Sequence, residues 1–554
     1  MFELVSLKQI WFIRDSETQC GTRKLSPPSP TADDVDVTSL PADFAPTTLS
    51  VRAPSDRTLL ALLTTLCLLS ALLGRFCFLL RPFDNDAAIF IYMGQMVSTG
   101  GRLCHDLIDN KFPTVGLMTS IIYKAFGMNW PAYIGLQATL SLLTALSLGR
   151  TAARVVGSHA RLPTILFAIV FLNFTTAVFG GFQLETIQIF FAVLAAGAGA
   201  EMIMNPNPAD GFVAGLCAGC GAMFKPTAAG VLVALGIGIR INFMAGWWLQ
   251  PSLVRRKFLL SIPALIAGLC IPLTAALIYL QRADLLHDMP ALYRQISVYA
   301  HESVFDAVEL IKPLAALALL GFPLLIRGVV CRRHRDQQAN SPAFAVTLFL
   351  LAWLAIETTG VILQRRMYAY HFLPMVPPAA LLFGMLPRLN RPGILAASLI
   401  PIAFLSIVQA GNLIATTKPG EDRLPLSDYL ADHAKPGDAV WMDAWPRVVL
   451  ETGLRPGARL PFTFLFTNYD TAGLDYSAGM IADFDRIKPA YIILPVPLDR
   501  RLQYQIDFIP ELNRRPIRRD SYIIGWHRIE QYTLEHYEKV ALVGNDAVYR
   551  RRDK

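Results

Sequence analysis

Phe112-Pro-Thr-Val-Gly-Leu-Met-Thr-Ser-Ile-Ile-Tyr-Lys-Ala-Phe126 is the stretch on which the topology of this chain turns. It is apolar enough for lipid, yet its 15 residues fall short of the about 17–25 that a comfortable helical crossing needs. If it crossed, Arg150, Arg154 and Arg161 would lie outside, against the bias of basic loops toward the cytoplasm. Read as a juxtamembrane or re-entrant helix, which is tolerated where protein or water covers the backbone, it leaves every basic cluster inside. Those clusters are 150–161, 240–257, 327–335 and 388–391. Eleven apolar runs remain as spans: 58–80, 131–149, 162–180, 184–204, 211–224, 226–243, 258–280, 307–326, 343–363, 371–387 and 393–414. The expected fold is therefore a polytopic α-helical membrane protein of about 11 transmembrane helices, residues 57–415, with a cytoplasmic N-terminus. Its large outward loops are 81–112 and 281–306.

Composition agrees. Apolar residues make up 53% of the chain and charged residues 17%, where a soluble domain carries about 25% charged. The net charge of +8 is accounted for by loop lysines and arginines that set orientation, so no nucleic acid is expected as a partner. Residues 1–56, rich in Ser, Pro, Thr and Asp, lack the pattern of a packed core and read as a disordered cytoplasmic segment. The first long apolar run begins near residue 58, too late and too long for a cleaved signal peptide. Residues 419–554 alternate helical and strand patterns: a helix over 426–433, strands at 438–442 and 491–494, and two more around Val540 and Val548. They read as a small extracytoplasmic α/β domain without cysteine. Cys217-Ala-Gly-Cys220 has metal or redox spacing, but it lies inside an apolar run with no second pair nearby and reads as packing.

The first outward loop carries the chemistry. It reads Arg81-Pro-Phe-Asp-Asn-Asp-Ala-Ala-Ile-Phe-Ile-Tyr-Met-Gly-Gln-Met-Val-Ser-Thr-Gly-Gly101, then Arg102-Leu-Cys-His-Asp-Leu-Ile-Asp-Asn-Lys-Phe-Pro113. Ile89, Met93 and Met96 recur at helical spacing, which predicts a short amphipathic helix on the membrane with Asp86 near its N-terminus and Gly100-Gly101 at its end. Asp106 and Asp109 would share a face if their stretch is helical. A carboxylate here can take the proton of an attacking hydroxyl, and Lys111 can neutralise a phosphate as a point charge. Charges flanking a span also serve as plain interfacial anchors, and spacing does not separate the two readings.

The order Asp, helix with Tyr and Gln, Gly-Gly, second Asp, then Asp-Asn-Lys-x-Pro resembles the first loop of the GT-C glycosyltransferases, in the branch of protein mannosyltransferases and the lipid A aminoarabinose transferase. The likeness is close over 86–127. It is looser at Gln364-Arg-Arg-Met-Tyr-Ala-Tyr-His-Phe-Leu-Pro374 and in the tail at 490–494 and 537–540. The resemblance implies a bacterial inner-membrane enzyme that moves a sugar from a polyprenyl-phosphate donor to a glycan, lipid or protein acceptor. It implies catalytic roles for Asp86 and Asp106 and a donor-phosphate role for Lys111. Arg365, Arg366 and Lys225 are further candidates for phosphate contact by their position in the chain. Tyr370 and His371 belong to the looser match. Many relatives carry an acidic pair at the first position, whereas Ala87 follows Asp86 here, with Asp84 as the nearest substitute. No cofactor is therefore expected, and a divalent metal is disfavoured.

Other polar residues admit two readings. Lys225-Pro226 is a phosphate contact or a snorkelling turn charge. Glu357 lies within a span, where an ionisable group is costly, and either pairs with Arg365 and Arg366 or takes part in catalysis. Glu185 is equally open, and His301 and Glu302 could cover the site from the second outward loop. A transporter or flippase of envelope glycolipids is the alternative function, but that class shows internal repeats and polar groups at mid-membrane, whereas these charges gather at one face.

Overall fold

The structure is a computed structural model. It describes residues 56–80, 84–109, 111–175, 181–244, 252–290, 342–364, 368–385, 391–417, 424–463, 475–499 and 516–552, with single positions within 293–321 and 502–506. The expectations for 1–55, for the span 307–326, and for Arg365, Arg366, His301 and Glu302 fall outside the described residues.

The helices in chain order are α1 (Asp56–Phe76), α2 (Asn85–Ser98), α3 (Pro113–Phe126), α4 (Trp130–Val156), α5 (Arg161–Leu172), α6 (Leu184–Met204), α7 (Pro208–Phe224), α8 (Gly230–Met244), α9 (Ser252–Arg282), α10 (Pro342–Gln364), α11 (Val376–Met385) and α12 (Pro392–Thr416). Six of the apolar helices, α1, α4, α6, α9, α10 and α12, are long and apolar enough to cross a membrane, and four apolar segments of 10–17 residues lie at Ser158–Leu172, Pro208–Phe224, Pro226–Ile241 and Ala369–Met385. The protein is a membrane protein, and ten of the eleven expected runs coincide with these segments. α3 is the short helix read from the opening stretch: 14 residues, started by Pro113 after extended Phe112 and stopped at Gly127, whose φ of 57° belongs to the left-handed region.

Close helix crossings rely on missing side chains. A Cβ on Gly215 of α7 would collide with the Leu265 carbonyl of α9. A Cβ on Gly94 of α2 would lie 2.6 Å from the Thr119 carbonyl of α3. The bundle core runs from Leu63 in α1 to Ala403 in α12. Inside it, Arg75 of α1 is buried. Its guanidinium donates to Asn173 Oδ1, Ser141 Oγ and the Leu172 carbonyl, each at 2.9 Å. Sequence reading passed over this residue, because an arginine near the end of an apolar run looks like an interfacial charge. It is instead a polar rivet between α1, α4 and α5.

The C-terminal segment adds α13 (Pro425–His433), β1 (Ala439–Trp441), α14 (Pro446–Thr452), β2 (Arg455–Pro456), α15 (Tyr476–Ile487), β3 (Tyr491–Pro495), α16 (Pro516–His536), β4 (Tyr537–Val543) and β5 (Asp546–Arg551). The strands form one sheet in the order β2-β1-β3-β5-β4. β1 runs parallel to β2 and to β3, and β5 runs antiparallel to β3 and β4. The helix and four strands read from the sequence are all present. β2 is a two-residue strand with no alternation to reveal it.

A second apolar cluster joins α2 and α3 to Tyr133, Phe182, Leu184 and Phe224 in the bundle and to Trp441, Trp445 and Trp526 of the C-terminal segment. Here the structure corrects the expectation of an amphipathic helix lying on the membrane. α2 is buried along Ala87–Gly94, because α3 covers one side and the C-terminal segment another. Tyr92 meets Trp445 edge-on with ring centroids 4.8 Å apart, and the Ile108 amide donates to the Arg459 carbonyl at 2.9 Å.

Two outcomes test this fold. Arg75→Met should lower the apparent melting temperature in detergent by several degrees, since each buried acceptor left without a donor costs about 1–3 kcal/mol; an unchanged melting curve would show that the rivet contributes nothing. Cysteines placed at exposed Thr99 and Lys539 should react with an impermeant maleimide from the same side of sealed membranes, and one at exposed Arg150 only from the other.

Candidate active site

Asp84 starts α2. Its side chain caps the helix by accepting the Ala87 amide at 2.8 Å, which sets Asp86 in the first turn, where an anion is favoured. The substitute acid considered for Ala87 is therefore a helix cap. Burial, and after it the neighbouring Asp86 carboxylate, push Asp84 up to about 7. Arg447 of α14 pulls the other way.

Asp86 is also held above the ordinary carboxylate range, first by burial. Lys111 opposes that shift, Glu185 and Asp109 reinforce it, and the Tyr370 hydroxyl opposes it. The same groups define the site in space. The Tyr370 hydroxyl donates to Asp86 Oδ2 across a long 3.4 Å, although 284 residues separate them in sequence. Lys111 Nζ lies 3.1 Å from Asp109 Oδ1 and 5.7 Å from the centroid of Phe90, one helical turn beyond Asp86. The expected neighbours Asp86 and Lys111 thus share one electrostatic environment.

The second half of the cluster lies at the ends of α6 and α7 and within α10. Lys225 Nζ binds Glu185 Oε1 at 2.8 Å with both side chains largely buried. Lys225 is therefore a paired cation rather than a snorkelling turn charge. It also acts electrostatically on Glu357, whose Oε1 accepts the Trp353 indole N–H at 2.9 Å. His371 acts on Glu185 in the same way, and its ring stands edge-on to Tyr370, centroids 4.6 Å apart. So the first loop, α6, the α7–α8 turn and the segment before α11 meet around Asp86.

Asp106 does not join them in the same manner. The stretch 103–107 is a tight turn, closed by a bridge between Leu103 and Leu107, so the two acids do not share a helical face. Asp106 is exposed, and its Oδ2 accepts the Arg102 amide at 2.8 Å. Asp109 is buried and faces Lys111. The sequence spacing did not separate these two aspartates, because the distinction depends on a turn in which Cys104 takes a left-handed φ of 69°. Phe90 and Arg447 also went unnoticed; no local pattern marks either one.

Chemically, the described cluster holds more acid than base. A carboxyl raised by burial is a stronger base than a solvated one, and Lys111, one-third exposed, can turn an N–H toward an incoming anion.

No protein-family model matches the chain, and neither does any curated protein. Solved structures of an oligosaccharyltransferase from Archaeoglobus fulgidus are similar in part. The apo form aligns at a TM-score of 0.47 and 11% identity over 78% of this chain and 69% of that one. The form tethered to an acceptor peptide containing the NVT sequon gives 0.47 and 11% over 89% and 74%. The complex of that enzyme, AglB, with an inhibitory peptide and a dolichol-phosphate gives 0.44 and 12% over 89% and 74%.

The Asp84–Asp86 pair makes a signed prediction. Asp84 is raised on folding, so its ionisation opposes the folded state, and the penalty grows from about pH 4, its unfolded pKa, to a maximum above about pH 7. Asp84→Asn keeps a good cap and removes that charge. Its apparent melting temperature should exceed that of the unmodified protein by about 1–3 °C at pH 8 and match it at about pH 3. Equal values at both pH values would remove the assigned coupling.

Proposed function

We propose that this chain is a membrane glycosyltransferase of the GT-C type, which moves a sugar from a polyprenyl-phosphate donor to an acceptor hydroxyl on the extracytoplasmic face, with inversion. The observation that carries the reading is the placement of Lys111, Tyr370 and the Asp86 carboxyl in one half-buried cluster. A polytopic chain with a paired acid and ammonium beside its helix ends suits a substrate anchored in lipid by a phosphate.

In this reaction the acceptor oxygen attacks the anomeric carbon from the face opposite the phosphate. The bond between that carbon and the phosphate oxygen breaks, and configuration inverts. Asp86 accepts the acceptor's proton as attack proceeds. Lys111 neutralises the departing polyprenyl phosphate, and Asp109 positions that lysine through their 3.1 Å pair. Lys225, held by Glu185, adds positive charge for the donor phosphate, a role we also propose for Arg365 and Arg366. Tyr370 and His371 orient Asp86 and Glu185, and Glu357 sets the field around Lys225. Asp106, as a turn-former, acts on catalysis only through the shape of the loop. The proposed topology has eleven crossings, with 81–112 and 419–554 both on the extracytoplasmic side of a bacterial inner membrane, where the C-terminal segment helps to hold the acceptor.

The test is separate replacement of Asp86 by Asn, Lys111 by Ala, Asp109 by Asn and Asp106 by Asn, followed by mass spectrometry of envelope glycans. The first two should abolish one modification and Asp109→Asn should reduce it at least tenfold, while Asp106→Asn keeps most of it. Unchanged glycans in folded Asp86→Asn and Lys111→Ala variants would refute the assignment.

A further inference from the structure

A second constellation lies outside these roles. His105 sits in the 103–107 turn, and His287 and Asp288 follow the end of α9. His105 Nε2 lies 3.1 Å from Asp288 Oδ2, and His287 Nε2 lies 3.3 Å from Asp288 Oδ1. One ligand atom from each of the three falls within 4.8 Å of the others. We propose that His105, His287 and Asp288 bind one divalent cation of the zinc class, clasping the first outward loop to the segment after α9.

The geometry suits such an ion. Donors bound to tetrahedral zinc at about 2.0–2.1 Å stand about 3.3 Å apart. Each imidazole lies near that distance from one oxygen of the Asp288 carboxylate, His105 from Oδ2 and His287 from Oδ1, and small side-chain rotations bring one atom of each residue onto a shared ion. Two imidazoles and a carboxylate form a donor set that zinc favours over magnesium or calcium. His105 Nε2 and Asp288 Oδ2 are each sealed from solvent without a well-formed hydrogen bond, although they lie 3.1 Å apart. Side-chain exposures of 33% for His105 and 30% for Asp288, and 60% for His287, leave an approach for the ion and room for a water as fourth ligand.

Both ligand-bearing turns are fixed before any ion arrives. On one side the Cys104 amide donates to the Leu107 carbonyl and the Asp106 amide to the Arg102 carbonyl, each at 2.8 Å. On the other, the Leu285 amide donates to the Leu280 carbonyl at 2.8 Å, and the Leu285 side chain is fully buried. The two segments already touch at a second point, where Phe112 meets Tyr293 edge-on with centroids 5.7 Å apart. An ion at His105 closes a clasp beside Asp109 and Lys111 without using either of them. The proposal does not depend on the transfer reaction.

Full-length protein in detergent, stripped with a chelator and dialysed, is titrated with zinc chloride and followed by calorimetry and by metal content. About one equivalent should bind. His287→Ala, an exposed change that leaves packing alone, and Asp288→Asn should each weaken binding at least tenfold, and zinc should raise the apparent melting temperature of the unmodified protein but not of His287→Ala. Replacement of the exposed His527 by Ala should change nothing. No uptake, or equal uptake by the His287→Ala and Asp288→Asn variants, would overturn the clasp and leave a histidine–aspartate ion pair. Asp86→Asn should bind zinc normally, so failure of the clasp and failure of the transferase reading are distinguishable.

Discussion

The burial of α2 is the constraint from which the rest follows. A helix that begins with two acids two residues apart would ordinarily lie on a surface with both carboxyls in water. Here its apolar length is enclosed by α3 and by the C-terminal segment, and the missing side chain at Gly94 lets the Thr119 backbone approach directly. Enclosure leaves Asp84 and Asp86 half-buried and raises both aspartates. The cost of that arrangement is met by Lys111, the Tyr370 hydroxyl and Arg447, each from a different part of the chain.

The charge balance of the cluster gives it direction. Lys111 and Lys225 are each already engaged by a carboxylate. Bound in this way, an ammonium is fixed in position and its field is partly cancelled. An incoming anion therefore meets cations that are placed but restrained. Such an arrangement opposes non-specific anion binding, because an anion must compete with a carboxylate already in place.

Much of the architecture was legible because its signals are local. Apolar runs mark the helices, and the shortness of 112–126 marks α3 as different. The tail strands show in their β-branched and aromatic content. What stayed hidden depends on distance. Nothing near Arg75 reveals that Asn173 and Ser141 will satisfy it. Asp106 and Asp109 differ only through a left-handed residue that the sequence does not mark as one, since it is cysteine rather than glycine. The burial of α2 requires a tryptophan from the far end of the chain. Candidate residues could be chosen from motif order, whereas the pairing of Lys225 with Glu185 and the approach of Tyr370 to Asp86 required the fold.

The 284 residues between Tyr370 and Asp86 have a consequence for biosynthesis. A ribosome adding about 5–20 residues per second needs roughly 15–60 s to travel from one to the other. Throughout that interval the nascent first loop lacks both its Tyr370 contact and its cover from the C-terminal segment. The cluster around Asp86 is thus completed late, only after the segment before α11 has been made.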